Sequence, residues 1–272
     1  MKNLNLGTDS KKNMVFKTDA YTDKGIKKEV NQDALIIKQA RTEKRGKVCF
    51  ACLCDGMGGL SLGEVASSSF IDRMERWFNE DLPSVLSPTD ITVRLDSTED
   101  DNDCFKLIQS QWNQIVQQMN YKLKKYGEEK GLKLGTTAVA IFFMSGKYIT
   151  MAVGDTRAYC IDGSKITQIT HDHSYVQRQI DLGYMTKSEA ETSKQKSVLL
   201  QCIGASEKVI PDFFTGDADD KTFFMCSDGL WRKLSDAEII KYVDKAEGIK
   251  SLAEIVKQRG ETDNISGLMV KV

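Results

Sequence analysis

The stretch VCFACLCDGMGG, Val48 to Gly59, is an apolar run that stops at an aspartate and a glycine-rich segment. A short apolar run bounded by turn residues is typical of a buried β-strand. Asp55 therefore stands at the tip of a predicted strand, and Gly56 lets backbone or water approach it closely. Because an isolated Asp-Gly pair is usually only a turn, the pattern gains meaning only if it recurs.

Three more aspartates share this setting. Asp33 opens the run DALIIKQA, Asp228 follows TFFMCS, and Asp263 comes shortly before ISGLMVKV. If these strand ends converge, carboxylates about 4 Å apart repel by roughly 4 kcal/mol per pair at an effective dielectric near 20. Protons or cations must then neutralise them, and their oxygen ligands suit Mg²⁺ or Mn²⁺. Convergence itself does not follow from the sequence pattern.

The order of apolar patterns predicts an α+β fold with antiparallel sheets covered by helices, because strict β-α alternation is missing. Two segments have helical period, one carrying Phe70 to Phe78 and one carrying Phe105 to Leu123. Shorter helices are predicted over 175–182, 236–243 and 252–258. The predicted strands are ALIIKQA, VCFACLC, TAVAIFFM, YITMAV, RAYCI, KITQI, KTFFMC and ISGLMVKV.

Composition narrows the class of protein. The 272 residues are 40% hydrophobic, enough for a substantial core, and no composition break divides them. We therefore expect an N-terminal lead-in over 1–15 and one domain over 16–272. A net charge of -1 gives no basic footprint for nucleic acid or an anionic membrane surface. The seven cysteines are an odd number, no apolar run is long enough to span a membrane, and no secretory signal is visible, so we expect a cytoplasmic protein with reduced thiols.

Seven motifs follow one another along the chain in this order: TDKGIKKEVNQDA, CDGMGGLSLGEVAS, LGTTAV, VGDTRAY, THDHSYV, CSDGLW and TDNISGLMV. Together they resemble the PPM family, the metal-dependent serine/threonine protein phosphatases of type 2C, in its bacterial form. The resemblance covers about Asp23 to Val272. It implies two antiparallel sheets packed face to face with helices outside, a four-layer α-β-β-α sandwich, and hydrolysis of phosphoserine and phosphothreonine in proteins.

The resemblance also implies a centre of two Mn²⁺ or Mg²⁺ ions. Asp55 would bridge both ions, and Asp228 and Asp263 would complete the ligands of one. The carbonyl of Gly56 would bind the other ion, with Asp33 reaching it directly or through water.

Two positions depart from the family pattern. Lys28 stands where many relatives have an arginine that grips the substrate phosphate, and a lysine offers a point charge in place of a bidentate fork. In many members a third, weaker metal is bound by an aspartate that lies shortly before the GTT segment. This chain has Glu128 and Glu129 in that region, and we expect no strong third site.

Other sequence features have plainer interpretations. Asp155 and Arg157 are expected to be structural, in a hairpin turn between two strands. His171 and His173 are expected near the cap of a helix at Ser174 rather than as metal ligands. The segment 174–204 corresponds to a variable flap beside the site in the family, and the acidic run 96–103 is expected to be a solvated loop.

Three alternatives compete with metal-dependent hydrolysis. Cys226 and Arg232 have the C-x5-R spacing of cysteine-dependent phosphatases, but Asp228 between them would repel phosphate. Cys49, Cys52 and Cys54 contain a C-x-x-C, which strand alternation already explains without zinc. The third alternative is a pseudophosphatase that binds phosphoproteins or a partner without turnover. As partners we expect phosphoproteins, by analogy those of a Hanks-type kinase, and a monomeric state.

Overall fold

The computed structural model describes residues 14–58, 62–86 and 101–272. Eleven strands are described in these ranges: β1 (Lys17–Asp23), β2 (Asp33–Thr42), β3 (Gly46–Gly58), β4 (Leu134–Thr136), β5 (Ala138–Met144), β6 (Lys147–Val153), β7 (Arg157–Asp162), β8 (Lys165–Gln168), β9 (Asp212–Asp217), β10 (Thr222–Cys226) and β11 (Ile265–Lys271). The eight α-helices of the same ranges are α1 (Gly63–Arg76), α2 (Leu82–Leu86), α3 (Asp101–Lys130), α4 (Tyr175–Asp181), α5 (Lys187–Thr192), α6 (Asp228–Trp231), α7 (Asp236–Tyr242) and α8 (Gly248–Gln258). A π-helical turn over Trp77–Asp81 joins α1 to α2.

The strands form two antiparallel sheets. Sheet I has the order β1-β11-β10-β7-β8, and sheet II has the order β2-β3-β5-β6-β9, with β4 added beside β3. All the pairings are antiparallel. The predicted α+β fold with two antiparallel sheets is confirmed.

Strand alternation creates the layers. Along β3, Cys49, Ala51 and Leu53 pack between the sheets, whereas Phe50 and Cys52 face the helices α1 and α3. Phe143 of β5 meets Phe223 of β10 across the inter-sheet space, with ring centroids 4.8 Å apart. Helices α7 and α8 cover the other face of sheet I. The three apolar interfaces account for the four layers.

Two sequence predictions need correction. The segment 154–156 does not form a hairpin turn, because β6 belongs to sheet II and β7 to sheet I, so this connection crosses between the sheets. The last three residues of the acidic run, 101–103, begin α3, and the rest of that run lies outside the described residues. The lead-in 1–15 also lies outside them except for its end, where Met14 is buried in the inter-sheet core.

No helix in the described ranges is both long enough and apolar enough to span a membrane.

Candidate metal centre

Asp33 and Asp55 face each other at one end of sheet II. They are directly paired residues in the antiparallel register of β2 and β3. Asp55 has the same strand parity as Ala51 and Leu53, whose side chains lie between the two sheets. The register therefore places both carboxylates at one end of the inter-sheet space.

The GTT segment fixes the end of β3. The Asp55 amide donates to Thr137 Oγ1 at 3.0 Å, and the Asp55 carbonyl accepts from the Thr137 amide at 2.9 Å and from Thr136 Oγ1 at 3.0 Å. Three hydrogen bonds thus hold the backbone of Asp55 from one side. This accounts for the two threonines of the motif without giving them a chemical step.

Gly56 must be glycine for steric reasons. A Cβ on Gly56 would lie 2.2 Å from the carbonyl oxygen of Gly63 and 2.5 Å from that of Gln32. Both obstacles are backbone atoms, so a side chain cannot be accommodated by rotating a neighbour. The start of α1 therefore packs directly on the chain beside Asp55, which is the region whose carbonyl the resemblance assigns to a metal.

Sheet I supplies the other two aspartates. Asp228 begins α6 immediately beyond β10, and Asp263 lies two residues before β11, the strand next to β10. Ser227 precedes Asp228, and its Oγ donates to Asp33 Oδ2 at 2.9 Å. This bond joins a residue of sheet I to a residue of sheet II at the end where the four aspartates gather.

Asn264 fixes the segment that carries Lys28. Its Nδ2 donates to the carbonyls of Lys24 and Val30, each at 3.0 Å, and its Oδ1 accepts from the Gln32 amide at 3.0 Å. Lys28 lies between these attachment points, and its Nζ is 2.8 Å from Asp263 Oδ1. The phosphate-binding candidate is thus positioned among the carboxylates.

The carboxylates influence one another electrostatically. Burial raises the pKa of Asp55 well above its ordinary range, and the charges of Asp33, Asp228, Asp155 and Asp263 raise it further. The pKa of Asp33 is raised to about 7, mainly by burial, against the lowering effect of hydrogen bonds from Ser266 and Ser227. Together with the pairing of Asp33 with Asp55 and the bond from Ser227 to Asp33, these interactions show that the four predicted aspartates lie at the same end of the two sheets.

Two protein cations contact this cluster. Lys28 pairs with Asp263, and Arg232 Nη2 lies 2.7 Å from Asp228 Oδ2. Burial disfavours the charged form of Lys28, but the pairing with Asp263 outweighs it and leaves the pKa of Lys28 raised. As the side chains stand, no group of three or more acidic, histidine or cysteine residues within 14–58, 62–86 and 101–272 is arranged to hold a metal ion. Two of the four predicted ligands instead contact Lys28 and Arg232.

The residues nevertheless fit hard divalent cations. Asp33 Oδ1 is buried and has no hydrogen-bond partner, which is costly for a charged oxygen unless a cation or proton satisfies it. The donors are carboxylate and carbonyl oxygens, the ligands that Mg²⁺ and Mn²⁺ prefer. Cations would also relieve the mutual repulsion that raises the pKa of Asp55.

Asp155 belongs to this neighbourhood, which its predicted structural role did not include. Burial and then the charge of Asp228 raise its pKa to about 7, while Arg232 lowers it.

Arg157, in contrast, is structural as predicted. Its guanidinium binds both carboxylate oxygens of Asp172 and stacks 3.4 Å from the centre of the Trp231 ring. Sequence reasoning also missed Ser227, Asn264 and Arg232, although the first two flank predicted ligands.

The cysteines and histidines considered as nucleophiles or metal ligands have structural positions. Cys226 is fully buried at the end of β10, where burial raises the pKa of its thiol, so it is unsuited to act as a thiolate nucleophile. Cys49, Cys52 and Cys54 are buried free thiols of β3. Ser174 caps α4 as predicted, and His173 Nε2 lies 3.0 Å from Asp212 Oδ2.

The flap and the region before the GTT segment frame the site. Helices α4 and α5 of the flap line a groove whose other wall contains Asp155, Trp231 and Arg232. Glu128 and Glu129 are exposed at the C-terminal end of α3.

A family model described as protein phosphatase 2C matches residues 24–265. The chain belongs to the protein phosphatase 2C family. It is 27% identical to the serine/threonine phosphatase stp of Listeria innocua over 84% of this chain and 86% of that relative. It is 28% identical to the serine/threonine protein phosphatase PstP of Mycobacterium tuberculosis over 95% of this chain but only 45% of that relative.

Solved structures agree with this family assignment. The serine/threonine phosphatase Stp1 from Staphylococcus aureus has a TM-score of 0.76 at 26% identity, covering 95% of this chain and 96% of that chain. The catalytic domain of PstP in complex with two manganese ions has a TM-score of 0.72 at 24% identity, covering 94% and 97% of the two chains. The predicted four-layer fold and the predicted family are both confirmed.

Proposed function

We propose that this protein phosphatase 2C family member hydrolyses phosphoserine and phosphothreonine esters in proteins at the aspartate cluster, with two Mn²⁺ or Mg²⁺ ions. The observation that carries the proposal is the convergence of Asp33, Asp55, Asp228 and Asp263, whose crowded charges need cations. The solved relative that binds two manganese ions supports it. When bound, two such ions would lower the pKa of a water molecule at the site and stabilise charge on the phosphate.

Each aspartate has a proposed role as a ligand. Asp55 would bridge the two ions, Asp228 and Asp263 would serve one, and the Gly56 carbonyl with Asp33 would serve the other. The close contact with Gly63 and the bonds from Thr136 and Thr137 hold the backbone of Asp55 and Gly56 at the end of β3, so that these two positions need little reorganisation to bind an ion.

Lys28 is the proposed phosphate-binding residue. Its ammonium group lies in the field of Asp263, Asp55 and Asp228, at the place where a substrate phosphate must come close to the cluster. A lysine contributes one point charge, so it attracts the phosphate but constrains its orientation less than an arginine would.

Hydrolysis of p-nitrophenyl phosphate with Mn²⁺ tests the proposal, with Asp55→Asn as the comparison. We expect wild-type turnover that EDTA abolishes and thiol alkylation does not, and a loss of at least 100-fold in Asp55→Asn. Asp162→Asn, at an exposed strand end, is the matched control and should retain wild-type activity. A wild-type rate no greater than that of Asp55→Asn would instead favour a pseudophosphatase.

The wider setting is also part of the proposal. We expect the substrates to be phosphoproteins made by a Hanks-type serine/threonine kinase, and the enzyme to act as a monomer in the cytoplasm. Light scattering tests the oligomeric state directly. Dephosphorylation of a kinase-treated lysate, compared with Asp55→Asn, tests the substrate class.

A further inference from the structure

Arg232 lies between the buried carboxylate of Asp155 and the largely buried carboxylate of Asp228. Its Nη2 is 2.7 Å from Asp228 Oδ2 and 3.6 Å from Asp155 Oδ2, and the side chain is only 17% exposed. Asp155 comes from the connection between the sheets, whereas Asp228 begins the short helix α6 and Arg232 directly follows its last residue. The guanidinium therefore joins the inter-sheet connection to the end of sheet I.

The contact depends on charge more than on hydrogen-bond direction. Nη2 is buried, yet it forms no aligned hydrogen bond despite its short distance from Asp228. Arg157, the neighbouring guanidinium, has its Nη2 2.7 Å from Asp172 Oδ2 and lies against the ring of Trp231. Within the part of the chain that the structure describes, Arg232 is the one cation recorded in an ion pair with either Asp155 or Asp228.

Removing this cation would leave the carboxylates of Asp155 and Asp228 facing each other across the space that the guanidinium occupied. Two buried carboxylates would then repel each other without compensation, and their oxygens would be free to bind a hard divalent cation. The groove between the flap and Trp231 also reaches Asp155 and Arg232, which provides a path from solvent.

We propose that Arg232 is a covalently attached cation that occupies the space between Asp155 and Asp228 and excludes a further divalent ion from it. Arg232 is then a positioning residue, because it acts through its contact with Asp228 Oδ2. The inference rests on the proposed function only in that Asp228 also serves the metal centre.

The test counts bound Mn²⁺ per chain, by calorimetry and by electron paramagnetic resonance of the free ion, in wild type and Arg232→Gln. We expect Arg232→Gln to bind one Mn²⁺ more than wild type, at least tenfold more weakly than the wild-type sites. The double variant Arg232→Gln with Asp155→Asn should lose that extra ion. An Arg232→Gln protein that binds the same number of ions as wild type would overturn the inference.

Two further variants make the result interpretable. Arg73→Gln removes an arginine that pairs with Asp81 in the α1 region and should leave the number of ions unchanged. If Arg232→Gln does not fold, bound Mn²⁺ is counted in Arg232→Met instead, which keeps an unbranched side chain. The same gain of one ion is then expected. A wild type without bound Mn²⁺ would refute the proposed metal centre, whereas the gain of one ion on removing Arg232 would still support this inference.

Discussion

Replacing Asn264 by alanine should loosen the segment that carries Lys28. Asn264 is 4% exposed and makes three side-chain hydrogen bonds of 3.0 Å, to the backbone of Lys24, Val30 and Gln32. A typical intramolecular hydrogen bond contributes about 1 kcal/mol net. Because Lys24 and Val30 are exposed, water can replace part of what their carbonyls lose. We therefore expect the free energy of unfolding to fall by about 2–3 kcal/mol.

The same substitution should affect catalysis through substrate binding. Lys28 lies between the two carbonyls that Asn264 holds, so its ammonium group would sample more positions in the variant. We expect KM for p-nitrophenyl phosphate to rise several-fold, with a smaller change in kcat. Urea unfolding in EDTA measures the first effect, and steady-state kinetics at saturating Mn²⁺ measure the second.

Asn113→Ala is the matched control for Asn264→Ala. Asn113 is exposed on α3, and its side chain accepts a single hydrogen bond of 3.3 Å from Gln117, so its loss should change the free energy of unfolding by less than about 0.5 kcal/mol. If Asn264→Ala were as stable as Asn113→Ala and kept the wild-type KM, the three bonds would not position the Lys28 segment.

Three other perturbations test the site. In EDTA the wild type should be less stable at pH 8 than at pH 5, because an acid whose folded pKa is raised from 3.8 to about 7 loses its stabilising effect as pH rises through 7. Asp33→Asn should remove roughly 2–3 kcal/mol of that difference in urea unfolding at the two pH values. Gly56→Ala, whose Cβ would meet the Gly63 carbonyl oxygen at 2.2 Å, should cost more than about 3 kcal/mol in thermal unfolding. Gly131→Ala, with open space but a φ of +67, should cost only about 1–2 kcal/mol, and equal losses would contradict the steric argument. Lys28→Ala should raise KM for p-nitrophenyl phosphate and Lys28→Arg should not; a KM unaffected by Lys28→Ala would show that Lys28 does not bind the phosphate.

Apolar periodicity identified the apolar strands and the helices that have a wide apolar stripe. The predicted strands over β2, β3, β5 to β8, β10 and β11 are all present, as are the two long helical segments. Strands β1, β4 and β9 were not predicted. β1 has a mostly polar sequence, KTDAYTD, with no fully buried residue, at the edge of sheet I, β4 has three residues, and β9 contains a glycine. Such segments become strands because a neighbouring strand offers them hydrogen bonds.

The site could be predicted only in part. The setting of each aspartate was visible, but convergence depends on the register of β2 with β3 and on the packing of the sheets, which local pattern does not encode. The placement of Asp155 in a hairpin turn was wrong because β6 and β7, both apolar, look like the arms of a hairpin. Arg232 was considered only as part of the C-x5-R spacing, since nothing in the sequence reveals that a side chain four residues after Asp228 turns back to meet it.

The four aspartates are divided equally between the two sheets, Asp33 and Asp55 from one and Asp228 and Asp263 from the other. Neither half can gather them alone, so cation uptake at the proposed centre would require that both halves of the sandwich have docked. Bound ions would link the two sheets at this end of the molecule. During refolding, manganese capture should therefore appear late, after the burial of Trp77 and Trp112 on the outer face of sheet II.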